Sequence, residues 1–401
     1  MPAIEMKPGV YWIGVNDRTT DLFEGLWPIT QEGVSYNAYV VDGEKKALID
    51  MAKDFKADEL LSQIAQIVEP AQLDYIVINH MEPDHTGVVR TLRRVAPEAA
   101  ILVTKKAVDM LEAYYGVVDG VRVVKDGESL DLGTHTLRFV STPFVHWPET
   151  MMTYEVNHHI LFSCDAFGGY GALRGAIFDD QYDDLAFYEK EALRYYVNIV
   201  SLYYRAVLKA IDKLAEVPVE MVAPSHGLIW REHPERIIDL YRLWSEYADK
   251  PGDVGVTLLY GTMYGCTEEM VEAVAEGVAA AGVPMEIFDV RHTHASYILP
   301  HIFKNRGVIV GAPTYEGGLF PPMFDTLHTI AHKRLFHRKA AYFGSYGWSG
   351  GARRDFNQLA EDLRWEVGED DVWEFKGGAT PELLREGVAF GRRFAESLKE
   401  A

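Results

Sequence analysis

The chain has 401 residues, 48% of them hydrophobic, with a formal net charge of −21, so it can bury two domain cores, while its acidity excludes nucleic acid as a partner. Cys164 and Cys266 are the only cysteines, which implies no disulfide framework and a reducing, cytoplasmic setting. No run of about 18 apolar residues occurs and the start MPAIEMKPGV is not a signal peptide, so no membrane span is expected.

In chain order, the Val41-Asp-Gly-Glu segment signals a hairpin between strand-like runs. Residues 75–78 read as a short buried strand, and His80, Glu82, Asp84 and His85 follow it within six positions. Pro83 removes a backbone donor and pushes Glu82 toward an extended conformation, so a loop rather than a helix is expected there. An extended-then-curled loop turns His80, Glu82 and Asp84 inward together while Met81 and Pro83 pack outward. A solvated loop rich in acids and histidines is the plainer reading of this segment taken alone. Helices are expected over 86–95 and 107–115, and Lys125-Asp-Gly-Glu signals another hairpin.

Three later strand ends repeat the pattern. His146 follows the apolar run 137–140, Asp165 ends the run from 160, and His226 follows the run from 221. Four strand ends presenting imidazole or carboxylate suit a sandwich of sheets that collects ligands along one rim. The seven residues can hold two metals with a carboxylate between them. His158 and His159 fall at a hairpin turn. His292, His294, His301, His328, His332 and His337 have no carboxylate cluster beside them and read as ordinary surface or core histidines. A helix over 187–214 carries Tyr195, Tyr196, Tyr203 and Tyr204, which read as its buried face. The other reading is a tyrosine hydroxyl beside the metals. Cys164 reads as a small buried hydrophobe.

Helical spacing at 237–247 stops at a Lys-Pro-Gly-Asp linker, dividing the chain into domains 1–250 and 251–401. In the second, a strand at 255–260 and a helix at 268–281 flank Gly261-Thr-Met-Tyr-Gly-Cys-Thr267. Such a loop can cradle a phosphate with backbone N–H groups, hydroxyls and the helix dipole. An ordinary β–α turn would look similar, and the loop lacks the lysine of a P-loop. The apolar runs from 307 and 340 end in glycine-aromatic loops. In open α/β sheets, ligands bind at such strand ends, and these would suit a phosphorylated planar ligand.

The order H-x-E-x-D-H, then His, Asp and His, resembles the metallo-β-lactamase-like domain of flavodiiron proteins. Hydrolases of that fold usually carry histidine where this chain has Glu82. The carboxylate makes a mixed N/O set that suits iron or manganese better than a zinc pair. The resemblance implies an αβ/βα sandwich with His80, Glu82 and His146 on one iron, Asp84 and His226 on the other, and Asp165 bridging. His85 would either join the second iron or turn away from it. The region from 251 resembles flavodoxin, a doubly wound parallel sheet, and Gly-Ser-Tyr-Gly-Trp-Ser-Gly-Gly (344–351) closely resembles the same segment of flavodiiron proteins. The implied ligand is FMN. Its phosphate would sit on Thr262, Tyr264, Gly265, Cys266 and Thr267, with Met263 in the same loop. Its ring would lie near Pro313, Thr314, Tyr315, Glu316, Gly317 and Gly318, and near Ser345, Tyr346, Gly347, Trp348, Ser349 and Gly350. Cys266 stands where flavodoxins commonly have Asn and would serve through its backbone N–H.

The resemblance therefore implies an oxidoreductase that reduces O2 to water, NO to N2O, or both, at two irons fed by FMN. No Cys-x-x-Cys pair is present, so no fused rubredoxin is expected and an external donor, rubredoxin or reduced deazaflavin, is required. A head-to-tail homodimer or dimer of dimers is implied, setting the FMN of one subunit against the irons of the other. The ligands cannot discriminate the gases; a tightly coupled flavin–diiron unit favours O2. Two other classes compete. A dinuclear zinc hydrolase is opposed by Glu82 and the flavin loops. A flavin carrier with a structural front domain is opposed by the cost of burying seven ionisable ligands without metal.

Overall fold

The short apolar runs of the first part pair into two sheets in the computed structural model, which describes residues 2–400. In the first sheet, Ile4–Lys7, Val10–Trp12, Tyr39–Asp42 and Lys46–Ile49 run antiparallel, and Tyr75–Val77, Ala100–Val103 and Val121–Val123 extend it in parallel. The parallel steps need crossovers, supplied by the helices Ala57–Ile64, Val89–Val95 and Lys105–Tyr115. The second sheet has the order Ser129–Asp131, Thr136–Ser141, Met151–Glu155, Ile160–Cys164 and Met221–Pro224. The Tyr39 and Phe162 rings pack at 4.8 Å, tilted by 46°, between the sheets, and the Tyr39 hydroxyl donates to the Pro224 carbonyl at 2.7 Å.

Val41-Asp-Gly-Glu closes a hairpin, with Asp42 opposite Lys46. Lys125-Asp-Gly-Glu does not. Val121–Val123 ends the first sheet and Ser129–Asp131 begins the second, so this turn carries the chain between sheets. Its left-handed Gly127 and the Glu128 N–H to Lys125 carbonyl bond (3.0 Å) fix a local reversal. Local turn chemistry does not choose which strands pair. The helix expected over 187–214 is also interrupted. Ala186–Tyr195 passes into a π-helical turn, Tyr196–Val200, then a 3-10 turn, Ser201–Tyr203, before Tyr204–Leu214 resumes.

A second compact unit begins at Trp244, inside the helix Pro234–Tyr247 rather than at the Lys-Pro-Gly-Asp segment. The last turn of that helix is held by the unit that follows: the Tyr247 hydroxyl bonds Asp253 (2.9 Å), and its carbonyl accepts from Arg338 (3.2 Å). The parallel strands are ordered Met285–Asp289, Asp253–Tyr260, Asn305–Gly311, Lys339–Tyr346 and Val372–Lys376, which is the flavodoxin-like 2-1-3-4-5 arrangement. Arg338 is fully buried and faces no carboxylate; its guanidinium donates to the carbonyls of Tyr247, Lys250, Ile302, Phe303 and Phe336.

The helices Cys266–Ala280 and Pro381–Ser397 pack with their backbones almost touching. A Cβ at Gly277 would strike the Val388 carbonyl oxygen, and one at Gly391 would strike the Val274 carbonyl oxygen. Backbone cannot yield as a side-chain tip does. Gly391→Val should therefore cost about 1–3 kcal/mol by overpacking, read as an earlier urea midpoint for the second unit. An unchanged midpoint would refute the contact. No helix among the described residues is long and apolar enough to cross a membrane.

Candidate metal centre

Strand ends deliver all seven expected residues to one rim of the first unit. His80 follows Tyr75–Val77, His146 lies in the connection between Thr136–Ser141 and Met151–Glu155, Asp165 follows Ile160–Cys164, and His226 follows Met221–Pro224. The segment after His80 differs from the expected loop. Glu82 is extended (φ −60°, ψ 141°), but Pro83 starts a short helix, Pro83–Thr86. Proline is well suited to the first helical position, where its missing N–H has no partner to lose. That turn carries Asp84 and His85 inward. Pro83 points outward as expected, but Met81 is buried in the core.

The donor atoms form two groups joined by one carboxylate. Asp165 Oδ2 lies 3.3 Å from both His80 Nε2 and His146 Nε2, and Glu82 Oε2 completes that group at 3.3 and 3.2 Å from the same nitrogens. Asp165 Oδ1 lies 3.0 Å from His85 Nε2 and 3.4 Å from His226 Nε2; Asp84 faces these two imidazoles at 3.3 Å each. Ligands bound at about 2.1 Å with right to tetrahedral angles stand roughly 3.0–3.4 Å apart. The spacing is thus that of coordination edges. His85 faces into the cluster and does not turn away.

Charge and hydrogen bonding agree. His85 Nε2, His146 Nε2, His226 Nε2, Asp165 Oδ2 and both Asp84 oxygens are buried without a hydrogen bond. So many converging orphans are costly unless a cation satisfies them. Burial by itself would lower the histidine pKa values, but the surrounding carboxylates outweigh it, raising His80 and His226 to about 10 and His85 and His146 to about 9. Burial would raise the Asp165 carboxyl, yet His85, His146 and His226 hold it well below the ordinary range. The field at this rim is built for positive charge.

Residues around the ligands fix their aim. His80 Nδ1 meets Glu149 Oε1 at 2.7 Å, and His226 Nδ1 meets the Ser35 carbonyl at 2.7 Å, which directs each Nε2 to the centre. The Tyr195 hydroxyl donates to Asp165 Oδ1 at 2.9 Å, which sets one tyrosine hydroxyl against the donor cluster. Glu149 and Ser35 escaped notice because nothing local marks them. Glu149 lies only three residues beyond His146, which is the one available signal. Tyr195→Phe should keep the metals but lower turnover about tenfold or more, as loss of such outer partners does. Undiminished turnover at full metal content would remove Tyr195 from the machinery.

In the second unit, the loops expected to hold a flavin lie at the carboxyl ends of adjacent parallel strands. Gly265, left-handed at φ +95°, precedes the helix Cys266–Ala280 and donates to Thr262 Oγ1 at 3.0 Å. Thr267 Oγ1 and Ser345 Oγ are 3.2 Å apart, and the Ala352 N–H donates to Thr314 Oγ1 at 3.3 Å, tying the three loops together. Tyr264 and Trp348 are 93% and 91% exposed. Large aromatics left so bare at one rim are what a planar ligand would cover. Arg291, unforeseen in the sequence, is ion-paired with Asp289 and donates to the Thr262 carbonyl at 3.0 Å, bracing the 261–267 loop.

Residues 34–227 match the ODP family beta lactamase, and residues 258–384 match Flavodoxin. The chain is 32% identical to a nitric oxide reductase of Moorella thermoacetica, covering 99% of each. Among solved structures it resembles rubredoxin oxygen:oxidoreductase from the anaerobe Desulfovibrio gigas, with a TM-score of 0.93, 30% identity and 99% of both chains covered. It also resembles the flavodiiron protein of Giardia intestinalis, with a TM-score of 0.94, 28% identity, and 100% of this chain and 97% of that one covered.

Proposed function

This chain belongs to the flavodiiron protein family, and on that premise we propose that it reduces O2 to water, NO to N2O, or both, at two irons supplied through FMN. One observation carries the reading: the two oxygens of Asp165 each face two imidazoles, and each pair is completed by a further carboxylate. His80, Glu82 and His146 would hold one iron and Asp84, His85 and His226 the other, with Asp165 available to both. When bound, FMN and the irons supply the electrons, four to take O2 to two waters or two to couple two NO into N2O. The protein's part is to hold and enclose. Glu149, Ser35 and Tyr195 orient His80, His226 and Asp165. Phe23 packs edge-on to His226 at 5.5 Å, and Trp147 to His80 at 5.0 Å, which limits water beside the ligands.

Electrons come from an external donor, rubredoxin first and a reduced deazaflavin second. The active form is a head-to-tail dimer or a dimer of dimers, and the two free cysteines suit a cytoplasmic setting. O2 is the preferred gas. Anaerobically purified protein should carry two irons and one FMN per chain and consume O2 with chemically reduced rubredoxin as donor. Two zincs and no iron after growth in iron-replete medium would defeat the reading. Consumption of NO tenfold faster than O2 would reverse the preference. For assembly, mixing an iron-free variant with an FMN-free variant should restore turnover only if subunits complement one another.

A further inference from the structure

A second set of metal-type donors lies at the opposite end of the five-stranded sheet. Ser141 pairs with Met151 at the His146 end, whereas Glu155 pairs with Leu137 at the other, about 13 Å away along the strand. Glu155 is fully buried there. The turn after it brings His158 Nδ1 to 3.4 Å from Glu155 Oε2, and His135 Nδ1 approaches Glu155 Oε1 at 3.1 Å. The two imidazoles stack at 5.6 Å with planes 29° apart, both offering Nδ1 to the same carboxylate. One donor atom from each residue lies within 4.8 Å of the others.

Two features separate this cluster from a carboxylate that merely accepts hydrogen bonds. Glu155 already accepts the backbone N–H groups of Asn157 (3.1 Å) and His158 (2.7 Å), so it does not depend on the imidazoles. His158 Nδ1 is shielded from solvent yet makes no hydrogen bond, like the imidazole nitrogens of the diiron centre. The ring of His135 is held in place: its Nε2 sits where a Cβ on Gly9 would come within 2.6 Å, so only a glycine admits it.

We propose that His135, Glu155 and His158 bind a divalent transition metal of the zinc class. Two imidazole nitrogens and one carboxylate oxygen form a borderline donor set, and water completes four-coordination. It can enter beside His158, whose side chain is 26% exposed. The metal would clasp the turn bearing His135 to the turn at 156–159, far from the gas-reducing chemistry.

The test uses the full chain with both irons and FMN in place, dialysed to equilibrium against Zn2+ and, separately, Co2+. One zinc per chain should appear beyond the two irons, and cobalt should give tetrahedral visible bands. His158→Ala, at the most exposed of the three positions, should lose the extra metal while keeping iron and FMN. Failure to take up zinc overturns the proposal, as does zinc gained only at the expense of iron. Uptake that persists in His158→Ala overturns it as well, and then His328→Ala would show whether the exposed His328–His332 pair is the binder.

Discussion

Asp165→Ala should strip both irons from the protein and reduce gas consumption to background while FMN stays bound at full occupancy. The asymmetry follows from where this residue sits. Its two oxygens lie within 3.0–3.4 Å of four imidazoles drawn from both ligand groups, so its removal takes a donor from each metal and the only anion shared between them. Four imidazoles would then share the charge of Glu82 and Asp84, with Glu149 reaching only the far side of His80. The flavin loops belong to a separate unit with its own core, which is why FMN should survive. Iron and flavin analysis of the same preparation checks both halves. Retention of two irons would remove Asp165 from the bridging position; loss of FMN together with iron would mean that the variant had unfolded.

Arg338→Leu should be the most damaging single change in the second unit. A buried cation that answers only carbonyls is costly to install, and burial already depresses its guanidinium pKa to about 10. What it returns is five hydrogen bonds donated to carbonyls that close the entry of the unit (247–250), the end of the helix Ala295–Lys304 and the approach to the strand Lys339–Tyr346. Leucine fills part of the volume and answers none of these carbonyls. At roughly 1–3 kcal/mol for each buried group left unsatisfied, the loss should exceed about 3 kcal/mol even if water reaches some of them. For a unit of this size that is a fall of about 10 °C in its melting midpoint, read by release of FMN fluorescence on heating. A shift of a degree or two would show that water replaces the side chain without difficulty.

The clustering of the seven residues was legible because each lies at or just beyond the end of an apolar strand, where hydrophobic pattern and donor chemistry coincide in a few residues. The second unit was legible for a related reason: strands and helices alternate, and parallel order follows from the crossovers. What escaped were features set by packing over long range. Pro83 both opposes a helix before it and favours one starting at it, and the residues on either side do not choose between the two. Asp126-Gly127 fixes a reversal, but the partners of the flanking strands depend on the whole sandwich. Glu149 and Ser35 act through contacts far apart in sequence, with His80 and Met81 and with His226 and Gly227, and neither sits in a pattern of its own.

The π-helical turn at Tyr196–Val200 has a consequence for phase. Upstream of it, Tyr195 must aim its hydroxyl at Asp165; downstream, Val207, Ala210, Ile211 and Leu214 must face the core. Each residue advances an α-helix by roughly 100°, and a wide turn takes up one residue more than an ordinary turn. The 3-10 turn Ser201–Tyr203 that follows is tighter and takes back part of that angle, so the offset between the two faces is set by both turns together. Removing one residue, such as Asn198, would leave the tight turn without its wide counterpart. It would also force a choice between the tyrosine and the core, since one half must rotate. The irregular turn acts as a phase shifter, letting one continuous segment serve two directions at once.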